Sequence, residues 1–170
     1  MRSTSSKSAG RSWRQISAAL SMGAVVVAAG AFTLLGARPA DARTGPAQAD
    51  TVIEITTTGS NLEFSPSRIS AKQGTTVTIR YTNNGTLPHN FVLVKDEADI
   101  DVLGPAAFQA GDTDYVPLQH EEKMYAHSPL AKPGTTVEVT FEVPPAGEYF
   151  FVCLYPGHYN MMVGTLRSLQ

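Results

Sequence analysis

The sequence of 170 residues contains a single cysteine, Cys153, and few charged residues of either sign. One cysteine excludes an intrachain disulfide and a four-cysteine zinc site. Only 16% of the residues are charged, and no basic stretch lies beyond the first 15 residues, so nucleic-acid binding has no support. No long segment repeats its apolar residues every 3.6 positions, which favours strands over helices. The length fits one domain, or at most two small ones.

The two ends of the chain differ in composition. The first 14 residues include four basic side chains and no acid, and residues 16–37 carry no charge at all. This layout, followed by Ala40-Asp41-Ala42, is typical of a secretory signal peptide that is cleaved before Arg43. The uncharged run is also long enough to span a bilayer, so residues 1–42 are expected to be a signal peptide or a membrane anchor. Both alternatives place the rest of the chain outside the cytoplasm.

The remainder of the chain is acidic and has the patterns of a β protein. It holds eight basic and fourteen acidic side chains, a net charge of −6. Residues 43–50 are expected to be a linker, and residues 51–170 one domain. Alternating segments and one segment that is apolar on both faces predict six strands, at residues 51–58, 75–81, 90–94, 135–143, 147–153 and 163–169. Six or more short strands predict an all-β antiparallel sandwich, with a short helix or loop around residues 97–111.

Side chains that bind metals occur in two places. His89 lies between two predicted strands, while Cys153, His158 and Met162 lie within ten residues after the interior strand. Two imidazoles, a thiolate and a thioether are the ligands of a mononuclear blue copper site, with a trigonal His₂Cys set and a long axial Met. Thiolate and thioether sulfur favour Cu(I), whereas imidazole favours Cu(II). A mixed set of ligands on a rigid loop accommodates both oxidation states and therefore favours electron transfer.

Two methionines compete for the axial position. Met161 and Met162 are neighbours, and neighbours in an extended segment point to opposite faces, so only one of them can reach the metal. Two other histidines, His120 and His127, lie in a separate segment without a metal-binding motif and are interpreted as structural or solvent-facing.

The spacing Cys-x4-His-x3-Met over residues 153–162 resembles that of azurins, and longer stretches resemble auracyanins; both belong to the cupredoxins, which are blue copper proteins. The likeness spans nearly all of residues 53–168. It implies a Greek-key sandwich of about eight strands that carries electrons and binds one copper ion. Because no His-x-His motif for a second copper centre occurs in the sequence, we do not expect an enzyme. The ligands that the resemblance implies are His89, Cys153, His158 and Met162. The stretches that carry it include Leu62–Phe64, Gln73–Thr75, Asn83-Asn84, His89–Lys95, Ser128–Ala131, Thr136–Phe141 and Pro156–Tyr159.

One position departs from the resemblance. Leu154 follows the cysteine where azurins and auracyanins have threonine. A hydroxyl group there would bind Asn90 and tie the two ligand segments together, so the rigidity of the loops and the reduction potential are open questions. The backbone N–H groups of Asn90 and Tyr155 are still expected to reach the sulfur and to stabilise the thiolate.

Three classes of function compete for this donor set. The first is an electron shuttle, the second is copper storage or delivery, and the third is an enzyme, which would need a second copper centre. We expect a monomer whose partners are redox proteins such as cytochromes or a membrane electron-transfer complex. His158 is expected to present its ring edge to solvent as the route for electrons. Tyr155 and Tyr159 flank the ligand loop and either pack there or form an apolar docking rim.

Overall fold

The computed structural model describes residues 51–170, which form eight strands and one short α-helix. The predicted signal or anchor segment (residues 1–42) and the predicted linker (residues 43–50) lie outside the described residues. Within residues 51–170, no helix has the length and hydropathy needed to cross a membrane.

The strands build two sheets. The three-stranded sheet has the order β1-β3-β6, and the five-stranded sheet has the order β2-β8-β7-β4-β5. The bounds are β1 (Thr51–Gly59), β2 (Arg68–Lys72), β3 (Thr76–Gly85), β4 (Val92–Val94), β5 (Met124–His127), β6 (Thr136–Glu142), β7 (Gly147–Val152) and β8 (Val163–Leu169). The α-helix, α1 (Ile100–Ala107), follows a 3₁₀ turn (Glu97–Asp99), and further 3₁₀ turns span Gly111–Thr113 and Leu118–Lys123.

The expectation of an all-β sandwich with a short helical insertion is confirmed, but the expectation of purely antiparallel pairing is wrong. Strand β1 pairs with β3 in parallel, and β2 pairs with β8 in parallel. For β1 and β3, the reason is that the chain crosses from the first sheet to β2 in the second sheet and back, and such a crossover returns in the same direction. The sequence patterns also missed β2 and β5, which are the two edge strands of the five-stranded sheet.

The main core lies between the sheets. Its centre is an aromatic cluster in which the ring of Phe151 lies 5.1 Å from Phe64 and 4.9 Å from Phe91, measured between centroids. All three rings are fully buried, and Cys153 and Met162 belong to the same core. Two of the candidate metal ligands, Cys153 and Met162, therefore belong to the same buried core as the aromatic cluster.

A second apolar cluster covers the outer face of β4 and β7. It contains Val92 and Val152 from these strands together with Ile100, Leu103 and Ala107 from α1. Alternate residues of β4 and β7 thus face the main core and the second cluster. The insertion around α1 explains why residues 147–153 are apolar on both faces, as an interior strand requires.

A close approach at Gly164 gives a test of the core packing. A Cβ added at Gly164 on β8 would overlap Cζ and Cε2 of Phe151, which is fully buried between Phe64 and Phe91. We expect Gly164→Ala to lower the free energy of unfolding by about 1–3 kcal/mol because the core has no room for the methyl group. Urea unfolding of the metal-free protein measures this change.

The matched control is Gly147→Ala on the neighbouring strand β7. A Cβ there would lie 3.5 Å from the Tyr149 ring, which is an ordinary contact. Equal unfolding midpoints for the two variants would contradict the packing described here.

Candidate metal centre

Hydrogen bonds to a neighbouring segment hold His89 in place. The N–H of His89 donates to the carbonyl of Ala131 at 3.0 Å, and the N–H of Ala131 donates back to the carbonyl of His89 at 2.7 Å. The buried side-chain amide of Asn83 donates to the carbonyls of Leu87 and Ala131, each at 2.8 Å. The loop before His89 is therefore tied to residue 131. The sequence patterns did not assign this task to Asn83.

The loop from Cys153 to Met162 is closed by its own backbone. The N–H of Cys153 donates to the carbonyl of Met162 at 3.1 Å, which joins the end of β7 to the start of β8. Inside the loop, the carbonyl of His158 accepts from the N–H groups of Met161 and Met162 at 2.9 and 2.8 Å. Gly157 adopts φ of +85°, a left-handed conformation that favours glycine and turns the chain into His158. Three candidate ligands thus share one tightly closed turn.

Three polar atoms from the two segments face one another. The Nδ1 atoms of His89 and His158 are 3.2 Å apart, and each lies 3.6 Å from the Sγ atom of Cys153. The point equidistant from these atoms in their plane lies about 2.0 Å from each. That distance is close to metal–nitrogen bonds of about 2.0–2.1 Å and somewhat shorter than metal–sulfur bonds of about 2.3 Å. The three side chains are therefore positioned to bind one metal ion.

Burial keeps both imidazoles neutral. Burial, with a smaller contribution from the nearby imidazole of His158, lowers the pKa of His89 to about 4. Burial also lowers the pKa of His158. A neutral imidazole has a free lone pair for a metal, so the site needs no proton release from these two rings at neutral pH.

Unlike the two imidazoles, the thiol of Cys153 must lose a proton before it can bind a metal. Burial raises its pKa to about 12, so without a metal it stays protonated at neutral pH. The backbone N–H groups of Asn90 and Tyr155 act on the sulfur in the other direction and favour the thiolate. Both bonds agree with the expectation from the sequence. A metal that binds here must displace the thiol proton, and the two N–H groups then support the negative sulfur.

A backbone hydrogen bond connects the two ligand segments although Leu154 has no hydroxyl group. The N–H of Leu154 donates to Oδ1 of Asn90 at 2.7 Å, and the side-chain amide of Asn90 donates to the carbonyl of Asp114 at 2.9 Å. The side chain of Leu154 packs in the second cluster. Asn90 therefore joins three segments, and the tie does not depend on the side chain at position 154.

The two methionines point in opposite directions. Met162 is fully buried in the main core with Cys153, whereas 61% of Met161 is exposed. His120 and His127 lie outside the group of metal-binding side chains formed by His89, Cys153 and His158, within the part of the chain that the structure describes.

The aromatic residues of the loop pack closely. The ring of Tyr155 lies 5.0 Å from the rings of both His158 and Tyr115, between centroids. Tyr159 packs against the second cluster. His158 keeps 5% of its surface exposed, compared with 1% for His89, so His158 is the more accessible of the two imidazoles.

A buried set of two imidazoles and one thiol at the edge of a β-sandwich defines the class of blue copper proteins. The family model of the copper binding proteins of the plastocyanin/azurin family matches residues 51–168. The chain therefore belongs to this family, and the resemblance to cupredoxins inferred from the sequence is confirmed.

The chain is similar to two auracyanins. It is 42% identical over 117 residues to auracyanin-A of Chloroflexus aurantiacus, covering 67% of this chain and 72% of that protein. The solved structure of auracyanin A, described as a "blue" copper protein, has a TM-score of 0.66 at 40% identity and covers 69% of this chain and 98% of the other. The structure of dithionite-reduced auracyanin from Roseiflexus castenholzii has a TM-score of 0.65 at 32% identity, covering 72% and 100%.

We expect the metal-free protein to lose stability in acid because of His89. Its pKa is about 4 in the folded chain and ordinarily 6.5, so between these values the unfolded chain takes up a proton that the folded chain does not. As the pH falls through this window, His89 should reduce the free energy of unfolding by about 3 kcal/mol. Urea titrations at several pH values measure the loss.

The variant His89→Gln should show a smaller loss over the same window. The reference is His127→Gln, which removes an imidazole outside the metal-binding group. Identical pH dependence in the two variants would contradict a buried, neutral His89.

Proposed function

We propose that this protein carries one copper ion on His89, Cys153, His158 and Met162 and passes single electrons between redox partners. The observation that carries the proposal is the meeting of two imidazole nitrogens and one sulfur around a point about 2.0 Å from each. Bound copper supplies a one-electron Cu(I)/Cu(II) couple. The chain's part is to hold the donors at fixed spacing, to keep water out and to stabilise the thiolate.

Met162 is the proposed axial ligand. It is fully buried in the same core cluster as Cys153, and its carbonyl accepts the N–H of Cys153 at 3.1 Å, so its backbone is held next to that ligand. Met161, its exposed neighbour, points away. A thioether at the axial position matches the weak, long bond of a blue copper site, whereas a zinc site would have no need of it.

The burial of the donors favours electron transfer over copper storage or delivery. A delivery site exchanges its ion with a partner and therefore needs accessible ligands. Here Cys153 and Met162 are fully buried, and the two histidines keep 1% and 5% of their surface. An electron can tunnel through the few atoms that separate the ligands from solvent, whereas a copper ion cannot leave unless the loop opens. Storage or delivery is the alternative, and rapid loss of copper to a chelator would favour it.

We propose that the protein is not an enzyme. Four protein ligands leave the metal without an open position for substrate. Among residues 51–170, the group of His89, Cys153 and His158 is the one cluster of His, Cys, Asp and Glu side chains suited to a metal. A copper enzyme with a second centre is therefore unsupported by the described part of the chain.

The place of action is proposed to be outside the cytoplasm. The basic start and the uncharged run of residues 16–37 support export, either with cleavage before Arg43 or with retention as a membrane tether. The proposed partners are redox proteins, such as cytochromes or a membrane electron-transfer complex, which approach a monomer near His158.

Three variants test the ligand assignment. Purified protein given Cu(II) should turn intensely blue and bleach with ascorbate, and Cys153→Ser should abolish the colour because the copper–thiolate bond is lost. Met162→Leu should keep the colour and raise the reduction potential, because Cu(II) loses a donor and lies in a more apolar pocket. The expected shift is about tenfold in the Cu(I)/Cu(II) equilibrium constant, which is 59 mV for one electron. Absorption spectra and redox titrations provide the readouts.

Met161→Leu is the matched control and should change neither property. Blue colour that persists in Cys153→Ser would rule out the assignment, and an equal potential shift in both methionine variants would rule out Met162 as the axial ligand.

Mass spectrometry of the protein recovered from its producing cells tests the proposed location. A chain that begins at Arg43 is expected if the first 42 residues act as a signal peptide, and an intact N-terminus in the membrane fraction is expected for a tether. An intact chain in the cytoplasmic fraction would contradict export.

A further inference from the structure

The second cluster, to which α1 contributes, contacts the ligand loop at two residues. Each of these residues directly follows a proposed ligand. Leu154 follows Cys153 and is fully buried in this second cluster. Tyr159 follows His158 and packs against the same cluster. The insertion that contains α1 therefore does more than cover β4 and β7, because it also touches the loop that holds the donors.

Gly104 makes the contact between α1 and Tyr159 unusually close. A Cβ added at Gly104 would lie 2.5 Å from Cγ and Cδ2 of the Tyr159 ring, closer than real Cβ atoms approach such carbons. Glycine weakens a helix relative to alanine, and α1 gains no turn from it at this buried position. The space that Gly104 leaves for the ring is therefore a physical reason for glycine here.

We propose that Gly104 is a positioning residue for the copper site, acting through Tyr159 on His158. This inference rests on the copper function proposed above. The helix backbone supports the tyrosine ring, and the ring keeps its neighbour His158 at its distance from His89 and Cys153. If the ring is displaced, the loop widens and water reaches the ion. Water stabilises the doubly charged Cu(II) more than Cu(I), so the reduction potential falls.

The first test compares two Gly→Ala variants of the same segment. Gly104→Ala should shift the Cu(I)/Cu(II) equilibrium about tenfold toward Cu(II), which is 59 mV for one electron, and should change the blue absorption band. Gly111→Ala is the control, because its added Cβ lies 3.7 Å from the Tyr115 ring, an ordinary contact, and should leave both properties unchanged. Circular dichroism of the metal-free variants reports whether each is folded.

The second test is a rescue that depends on the proposed contact. In a chain that already carries Tyr159→Leu, Gly104→Ala should change the equilibrium less than twofold, because the smaller side chain leaves room for the methyl group. Tyr159→Leu alone should lower the potential by removing the support of His158. This single variant decides the question if Gly104→Ala does not fold.

The outcomes separate this inference from the function on which it rests. An unchanged potential in a folded Gly104→Ala overturns it, as does an unchanged potential in Tyr159→Leu or an equal shift in Gly111→Ala. A Gly104→Ala shift that persists in the Tyr159→Leu chain also overturns it. A wild-type chain that takes up Cu(II) without turning blue refutes the proposed function, and with it this inference, before any variant is made.

Discussion

The site depends on the meeting of three polar groups at one buried point. Two imidazole nitrogens and a sulfur face each other at 3.2–3.6 Å, close enough for hydrogen bonds among themselves in the metal-free chain. Buried polar groups need partners, and a cation at their centre would replace these mutual contacts with bonds to the metal. The rest of the chain must hold the three groups at this spacing. The surrounding hydrogen bonds provide that restraint: the Asn83 amide donates to the Ala131 carbonyl, and Asn90 accepts from the Leu154 N–H and donates to the Asp114 carbonyl.

The ligands that lie close to one another along the chain were predictable from the sequence. Cys153, His158 and Met162 share one short loop, so their spacing alone indicates a common metal. The alternating strands were predictable because β3 and β6 each place one face in the main core. Two edge strands were not: β2 alternates but has only five residues, one of them buried, and β5 has four residues, one buried and without clear alternation. Helix α1 contains Gly104 and Pro105, which weaken the helical signal.

Features that depend on distant segments could not be predicted. Parallel pairing of β1 with β3 follows from a crossover between sheets, and no short pattern records it. Asn83 looks like an ordinary turn residue in the sequence, and its role depends on Ala131, which is distant in the chain but adjacent in the fold. The question that Leu154 raised about the link between the ligand segments considered only side chains, whereas the backbone N–H of that residue donates to Oδ1 of Asn90.

The burial of Cys153 also protects the protein before it acquires its metal. Thiolates, and not thiols, react with disulfides and peroxides, and they must be reached by those reagents. The lone thiol is fully buried, and its pKa of about 12 keeps it protonated. A newly folded chain therefore resists sulfenic acid formation and mixed disulfides with other proteins. The same burial that shapes the donor set preserves the cysteine in a reduced form, ready for the ion.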